Sequence, residues 1–296
     1  MDVVTSLEAM RAHAREARRA GRRVGFVPTM GALHAGHLSL LAVARARADV
    51  VVLSVFVNPL QFGPAEDFAR YPRDLERDRR LAAAAGADLL WAPATDAMYP
   101  EPPRVTVAPG EAADRFEGAV RPGHFAGVLT VVLKLLAVVQ PDVAVFGRKD
   151  LQQAALVRRM VRDFDLPVEI AIAPTVRERD GLALSSRNAY LDRTARQRST
   201  ALARALARGT ELFRGGERNA AIVAAGARAV LELEPGVAVD YVACVSPDDV
   251  RPVPTVDAGT ALVLAARVEG GSGAGTRLID NVILGEGLEG DGRLPG

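Results

Sequence analysis

The ten residues Pro28-Thr29-Met30-Gly31-Ala32-Leu33-His34-Ala35-Gly36-His37 decide the fold. An apolar run, Val24-Gly25-Phe26-Val27, precedes them and reads as a buried strand. Leu38-Ser39-Leu40-Leu41-Ala42-Val43-Ala44-Arg45 follows and reads as a helix. Two of the chain's four histidines therefore sit where a strand turns into a helix, beside glycines that let a ligand approach the backbone. The start of a helix favours an anion, through its unpaired N–H groups and its dipole. Histidines placed there can donate to phosphate oxygens and stabilise charge that builds on phosphorus during displacement. Two other readings stay open: polar surface histidines, and an HxxH metal pair, for which no third ligand stands at a recognisable spacing.

Working outward, the first half alternates strands and helices. Residues 24–27, 50–57, 89–91, 143–146 and 168–173 are short, apolar and β-branched, as parallel strands buried on both faces are. Helical stretches at 38–48, 74–85, 127–139 and 151–163 separate them, and Gly86, Pro141 and Pro167 fall just after helices as stop signals. This rhythm predicts an α/β, Rossmann-like, doubly wound parallel sheet, with ligands at the carboxyl ends of the strands. Beyond residue 176 the texture changes. Stretches 193–213 and 220–234 read as amphipathic helices, and 239–245, 261–268 and 278–284 as strands. A smaller C-terminal α+β domain is expected, with the domains at 1–175 and 176–296, the joint within 175–191, a turn at 270–275 and a frayed tail from 285.

The 296 residues are 49% hydrophobic and 25% charged, enough for a sizeable core, and the net charge is +1. No charge imbalance calls for nucleic acid or an acidic membrane as partner. A single cysteine, Cys244, excludes an internal disulfide framework and fits a reducing compartment. The opening residues lack an apolar signal core, and the nearly apolar stretch 128–139, interrupted by Lys134, is too short to span a bilayer. A soluble cytoplasmic protein is the expectation. Only two of the 37 basic residues are lysines, Lys134 in the apolar helix and Lys149 after the strand at 143–146. Lysine is a compact point charge where arginine is a planar fork, so the retention of Lys149 points to a specific anion; a solvated surface lysine is the competing reading.

Three further loops fall after strands. In Asn58-Pro59-Leu60-Gln61-Phe62-Gly63, the amides of Asn58 and Gln61 offer donors and acceptors for a small polar substrate, while the loop taken alone reads first as a Pro/Gly turn with polar decoration. In Gly147-Arg148-Lys149-Asp150, Asp150 is also a candidate N-cap for a helix opening at Leu151. In Leu184-Ser185-Ser186-Arg187, two hydroxyls and a guanidinium form a candidate phosphate clamp.

Together these loops resemble the pantothenate synthetase (pantoate–β-alanine ligase) family, within the HxGH nucleotidylyl-transferase superfamily. The resemblance rests on PTMGALHAGH at 28–37, FVNPLQF at 56–62, YPRDLERD at 71–78, RPGHFAGVLTVVLKL at 121–135, FGRKDLQQ at 146–153, PTVRERDGLALSSRN at 174–188 and TRLIDN at 276–281. It implies an ATP-dependent ligation of pantoate to β-alanine through pantoyl adenylate, with Mg²⁺ accompanying ATP, in a homodimer. It also implies roles. Met30, Gly31, Ala32, Leu33, His34, Ala35, Gly36 and His37 would line the ATP site, with His37, His34 and Lys149 catalytic. Gly147, Arg148, Lys149 and Asp150 would bind the nucleotide, Val176 would meet adenine, and Leu184, Ser185, Ser186 and Arg187 would close over the phosphates. Gln61 and Gln153 would hold pantoate with support from Asn58, and Asp78 would be the carboxylate nearest Mg²⁺. Arg148, Leu151, Leu184 and Arg77 depart from the family's usual residues.

Overall fold

The structure is a computed structural model that describes residues 1–63, 68–270 and 273–294. In chain order the elements are β1 (Asp2–Val4), α1 (Leu7–Arg19), β2 (Val24–Thr29), α2 (Ala35–Arg45), β3 (Val50–Val55), α3 (Leu75–Ala84), β4 (Leu89–Trp91), α4 (Thr95–Met98), α5 (Glu117–Val120), α6 (His124–Val139), β5 (Val143–Gly147) and α7 (Leu151–Asp163). Then come β6 (Glu169–Ala173), β7 (Val176–Arg177), α8 (Arg193–Arg214), α9 (Ala220–Glu232), β8 (Val237–Val245), β9 (Ala261–Gly270), β10 (Gly273–Ile283) and β11 (Gly292–Arg293). They form two compact units, Met1–Gly147 with Leu156–Ala173, and Arg148–Ala155 with Pro174–Gly296.

The first unit is built on a six-stranded sheet in the order β1-β4-β3-β2-β5-β6, with every pairing parallel. Its central strands β2, β3, β4 and β5 are buried on both faces, so alternate side chains enter two cores. Phe26, Val52, Ala144 and Phe146 join Met10 of α1 and the apolar residues of α6, whereas Val27, Leu53, Val143 and Val145 join Leu41 and Ala44 of α2. From β2 the chain steps outward through β3 to β4, then returns to the other side of β2 for β5. The order reverses between β2 and β5, and open sheets of this kind bind ligands outside the carboxyl ends of their strands at such a point. The loop after β2 is the opening decapeptide.

β1 and α1 have no counterpart in the sequence reading. β1 is three residues long at the sheet edge, and only Val4 of it is half-buried. α1 is set by local chemistry: Ser6 Oγ accepts from Ala9 N at 3.1 Å, Glu8 lies in the first turn, and Arg18 and Arg19 lie in the last. α2 starts at Ala35 rather than at Leu38, so His37 lies inside the helix.

The second unit contains a three-stranded antiparallel sheet in the order β10-β9-β8, covered by α8 and α9 through Leu202, Leu206, Val223 and Leu231. Of the turn expected at 270–275, positions 271 and 272 lie outside the described residues. The expectation of a frayed tail is corrected. β11 pairs in parallel with β7, Gly292 N donating to Thr175 O at 2.8 Å and Leu294 N to Arg177 O at 3.1 Å. Among the described residues no helix is long and apolar enough to cross a membrane.

Candidate active site

The loop between β2 and α2 is held at successive residues. Gly31 has φ +83° and Ala32 φ +52°, the left-handed region. For alanine that conformation costs about 1–2 kcal/mol, so something must hold it. Asp78 of α3 does. Its carboxylate accepts from Ala32 N at 2.9 Å and from Leu33 N at 2.8 Å. Thr29 Oγ1 accepts from Gly31 N at 3.1 Å while donating to Ser54 O at 2.7 Å, and Arg77 Nη1 donates to Leu33 O at 3.0 Å. A Cβ on Gly31 would lie 2.8 Å from Asp78 Oδ2 and 2.9 Å from Val55 Cγ1, so close approach as well as φ requires glycine.

Asp78, expected to stand near Mg²⁺, is thus placed otherwise. Its side chain is only 2% exposed, with both oxygens turned to backbone amides. Burial pushes its carboxyl above the ordinary value, while the Leu33 and Ala32 amides and Arg77 pull it back. Among the described residues no group of three or more His, Cys, Asp or Glu is arranged to hold a metal. These residues do not fit a metal held by the protein.

The loop delivers His34 as the N-cap of α2, with its carbonyl accepting from His37 N at 2.8 Å and Leu38 N at 3.1 Å. One helical turn brings the two imidazoles together, with centroids 4.1 Å apart and planes inclined by 36°. Both residues are half-buried, and the first turn of α2 carries no acidic side chain. The positive end of the helix dipole and two imidazoles therefore act on the same space, and the helix's own first turn adds no carboxylate to it. That suits an anion whose charge grows during reaction.

Asn58 and Gln61 follow β3, at either end of a 3₁₀ turn. Asn58 is 1% exposed and its amide is saturated. Its Nδ2 donates to Gln61 Oε1 and to Gly127 O, each at 3.1 Å. Its Oδ1 accepts from Leu60 N at 3.3 Å and from the Tyr99 hydroxyl at 3.0 Å. Burial pushes the Tyr99 phenol up to about 12, which keeps it a donor. Gln61 Nε2 reaches Met30 Sδ at 3.0 Å, tying this turn to the decapeptide. The RPGHFAG stretch supports the turn from below. A Cβ on Gly127 would stand 2.1 Å from Leu60 O. Arg121 Nη1 donates to His124 Nε2 at 2.9 Å, which leaves Nδ1–H to donate to Gln61 O at 2.8 Å. His124, Gly127 and Tyr99 are contributors that the sequence reading did not single out. Lys134 also has work: its ammonium donates to Met98 O and lies 5.2 Å from the centre of the Tyr99 ring.

Gly147 ends β5 in the first unit, and the remaining expected residues belong to the second. Arg148, Lys149 and Asp150 form a 3₁₀ turn before α7. The Lys149 side chain is only 18% exposed, which removes the reading of a solvated surface lysine, and its Nζ lies 3.8 Å from Asp150 Oδ1. Asn281 Nδ2 donates to the carbonyls of both Arg148 and Lys149 at 3.0 Å, fixing the turn's backbone. Gln153 is half-buried in the first turn of α7. Val176 lies on β7, where its carbonyl accepts from Leu184 N at 2.9 Å. Ser185 caps the 3₁₀ turn Ser186–Tyr190, its Oγ accepting from Arg187 N at 3.3 Å. Leu184 to Arg187 are all half-buried. Beneath them Arg177 is 2% exposed at its side chain. It meets Asp280 through two bonds at 2.6 and 3.0 Å and Asp291 through one at 2.6 Å. Burial opposes that charge, but the two carboxylates outweigh it and hold the guanidinium protonated.

A comparison with known proteins bears on this arrangement. The sequence model of the pantoate-beta-alanine ligase family matches residues 2–283. A pantothenate synthetase of Moorella thermoacetica is 50% identical over 284 residues, 96% of this chain and 99% of the relative. The crystal structure of pantothenate synthetase from Thermus thermophilus superposes with a TM-score of 0.88 at 47% identity, covering 96% of this chain and 99% of that one. The pantoate-beta-alanine ligase of Francisella tularensis, solved with beta-gamma ATP and beta-alanine, gives 0.77 at 32% identity, covering 97% and 99%.

Proposed function

We infer the function from one premise: this chain belongs to the pantoate-beta-alanine ligase family. It condenses (R)-pantoate with β-alanine to pantothenate at the expense of ATP, releasing AMP and pyrophosphate. A carboxylate is a poor acyl donor, because its leaving group would be oxide. The pantoate carboxylate oxygen therefore attacks the α-phosphorus, the bond to the β-phosphate oxygen breaks, and pyrophosphate leaves. The acyl carbon of pantoyl adenylate then carries a good leaving group. The amine of β-alanine adds to it, loses a proton, and expels AMP. No covalent enzyme intermediate is required.

The observation that carries this reading is the helix start at His34, pinned by Asp78 and bearing two imidazoles in contact. His37 and His34 donate to the phosphates and stabilise charge at the α-phosphorus under attack. Met30 to His37, with Gly147, Lys149, Asp150 and the backbone of Arg148, bind the nucleotide, Lys149 by charge and Asp150 through ribose hydroxyls. Val176 meets adenine, and the segment from Leu184 through Ser185 and Ser186 to Arg187 closes over the phosphates. Gln61 and Gln153 hold pantoate. Asn58, its amide already saturated, acts through Gln61. Residues 1–175 would serve nucleotide and pantoate, and 176–296 would supply the lid. Mg²⁺ belongs to the proposal only as the counter-ion that ATP carries on its own phosphates, as Mg²⁺ often does. We also read the protein as a cytoplasmic homodimer.

The test is an assay with ATP, pantoate and β-alanine, omitting each in turn. Pyrophosphate must appear with ATP and pantoate alone, and AMP with pantothenate only when all three are present. AMP formation that needs no pantoate would refute the reaction order.

A further inference from the structure

The match to the family ends at residue 283, and the chain continues beyond it. That continuation is tightly docked. Besides the two backbone bonds that join β11 to β7, it sends two carboxylates to one arginine of the lysine-bearing turn. Arg148 Nη1 donates to Glu286 Oε2 at 2.5 Å and Nη2 to Asp291 Oδ1 at 2.7 Å. The Arg148 side chain is 11% exposed and that of Asp291 is 0%. The second oxygen of Asp291 accepts from Arg177 Nε, so this carboxylate bridges two arginines. Arg177 in turn grips Asp280, and the neighbouring Asn281 holds the carbonyls of Arg148 and Lys149. A circuit of bonds thus runs from the tail to both sides of the turn, charge-assisted at the two arginines and completed at the turn's backbone by the neutral amide of Asn281.

We propose that the tail is a positioning clamp, in which Glu286 and Asp291 hold Arg148 so that the adjacent Lys149 is presented to the nucleotide phosphates. The inference rests on the nucleotide role given above to Lys149. The guanidinium of Arg148 is committed to the tail, so it acts as a tether and Lys149 as the turn's cation for an anion. The division suits the two side chains. The planar fork of arginine matches two carboxylates at fixed angles, and the point charge of lysine follows phosphate oxygens as they move. Arg148 and the tail carboxylates are positioning residues, because they act through Lys149.

Arg148→Gln and Glu286→Gln test the clamp without unpairing Arg177, as Asp291→Asn would. Each should raise the KM for ATP by about three- to tenfold, the scale for a charge-assisted pair of which one member is half-exposed. The KM for β-alanine should stay within about twofold, and the double variant should be no worse than Arg148→Gln alone, since that substitution already removes the bond to Glu286. Hydrogen exchange at the amides of 148–150 should quicken in parallel. If Arg148 touched phosphate itself, Glu286→Gln would free it and tighten ATP, which overturns the proposal. Lowered melting temperature with unchanged ATP KM and unchanged exchange also overturns it. Lys149→Ala separates the two claims. An unchanged ATP KM in that variant refutes the nucleotide role of the turn, while the exchange measurement still decides whether the tail holds it.

Discussion

Asp78→Asn is the sharpest perturbation of the site, because it leaves the shape of the side chain and changes one acceptor into a donor. The carboxylate accepts from two successive amides, Ala32 N at 2.9 Å and Leu33 N at 2.8 Å. Asparagine offers one oxygen for two N–H groups and turns its own NH₂ toward the other. A hydrogen bond to a charged group contributes about 1.5–3 kcal/mol, and an amide left unsatisfied costs about 1–3 kcal/mol more. Against this, burial of the ionised group is itself unfavourable. Its native pKa lies above the unfolded 3.8, so its contribution to global stability is full below that value and declines as pH rises through the raised native one. At neutral pH the charge therefore does more for the loop than for the fold. The left-handed turn at Ala32, strained by about 1–2 kcal/mol, is what it restrains. A net release of about 2 kcal/mol should appear as a ~30-fold loss of kcat/KM for pyrophosphate release from ATP and pantoate. Melting should fall by only a few degrees. Excess Mg²⁺ should not restore activity. Rescue by Mg²⁺ would make Asp78 a metal ligand, and near-wild-type activity would show that the loop keeps its shape without it.

Other outcomes follow from the same geometry. His37→Ala should slow adenylation by about 10²–10³ with little change in melting, as loss of one pre-aimed donor does, and single-turnover pyrophosphate release checks it. Gly127→Ala should raise the KM for pantoate far more than that for ATP, since its Cβ would stand 2.1 Å from Leu60 O and displace the turn bearing Gln61; steady-state kinetics with each substrate varied decides. Cys244 should resist iodoacetamide at pH 8 until the protein unfolds, because burial pushes its thiol up to about 12 and the thiolate is the nucleophile; labelling before and after urea, read by mass, checks it.

The parallel sheet could be read from the chain because its central strands are buried on both faces, and such strands appear as unbroken apolar runs. β1 escaped because a three-residue edge strand with an exposed pattern leaves no periodicity to detect. The first three residues of α2 lie outside the sequence reading because Gly36 and His37 are weak helix formers, yet the dipole end they occupy is the feature that suits an anion. The decapeptide was legible as a candidate site from its glycines and from the scarcity of histidine. Its restraint was not, since Asp78 lies 45 residues away from Leu33 and looks like any acidic residue in a first helical turn. The same holds for Arg177, whose carboxylate partners stand 103 and 114 residues downstream. The tail looked loose from its glycines, but its docking depends on Asp291, whose significance only tertiary pairing reveals.

The claim at the centre of this account is attack by the pantoate carboxylate on the α-phosphorus at the His34–His37 helix start. Pantoate labelled with ¹⁸O in its carboxylate tests it directly in the complete reaction. The account predicts one ¹⁸O per molecule in the phosphate of AMP and none in pyrophosphate, by mass spectrometry. Unlabelled AMP, or label in pyrophosphate or inorganic phosphate, would contradict it.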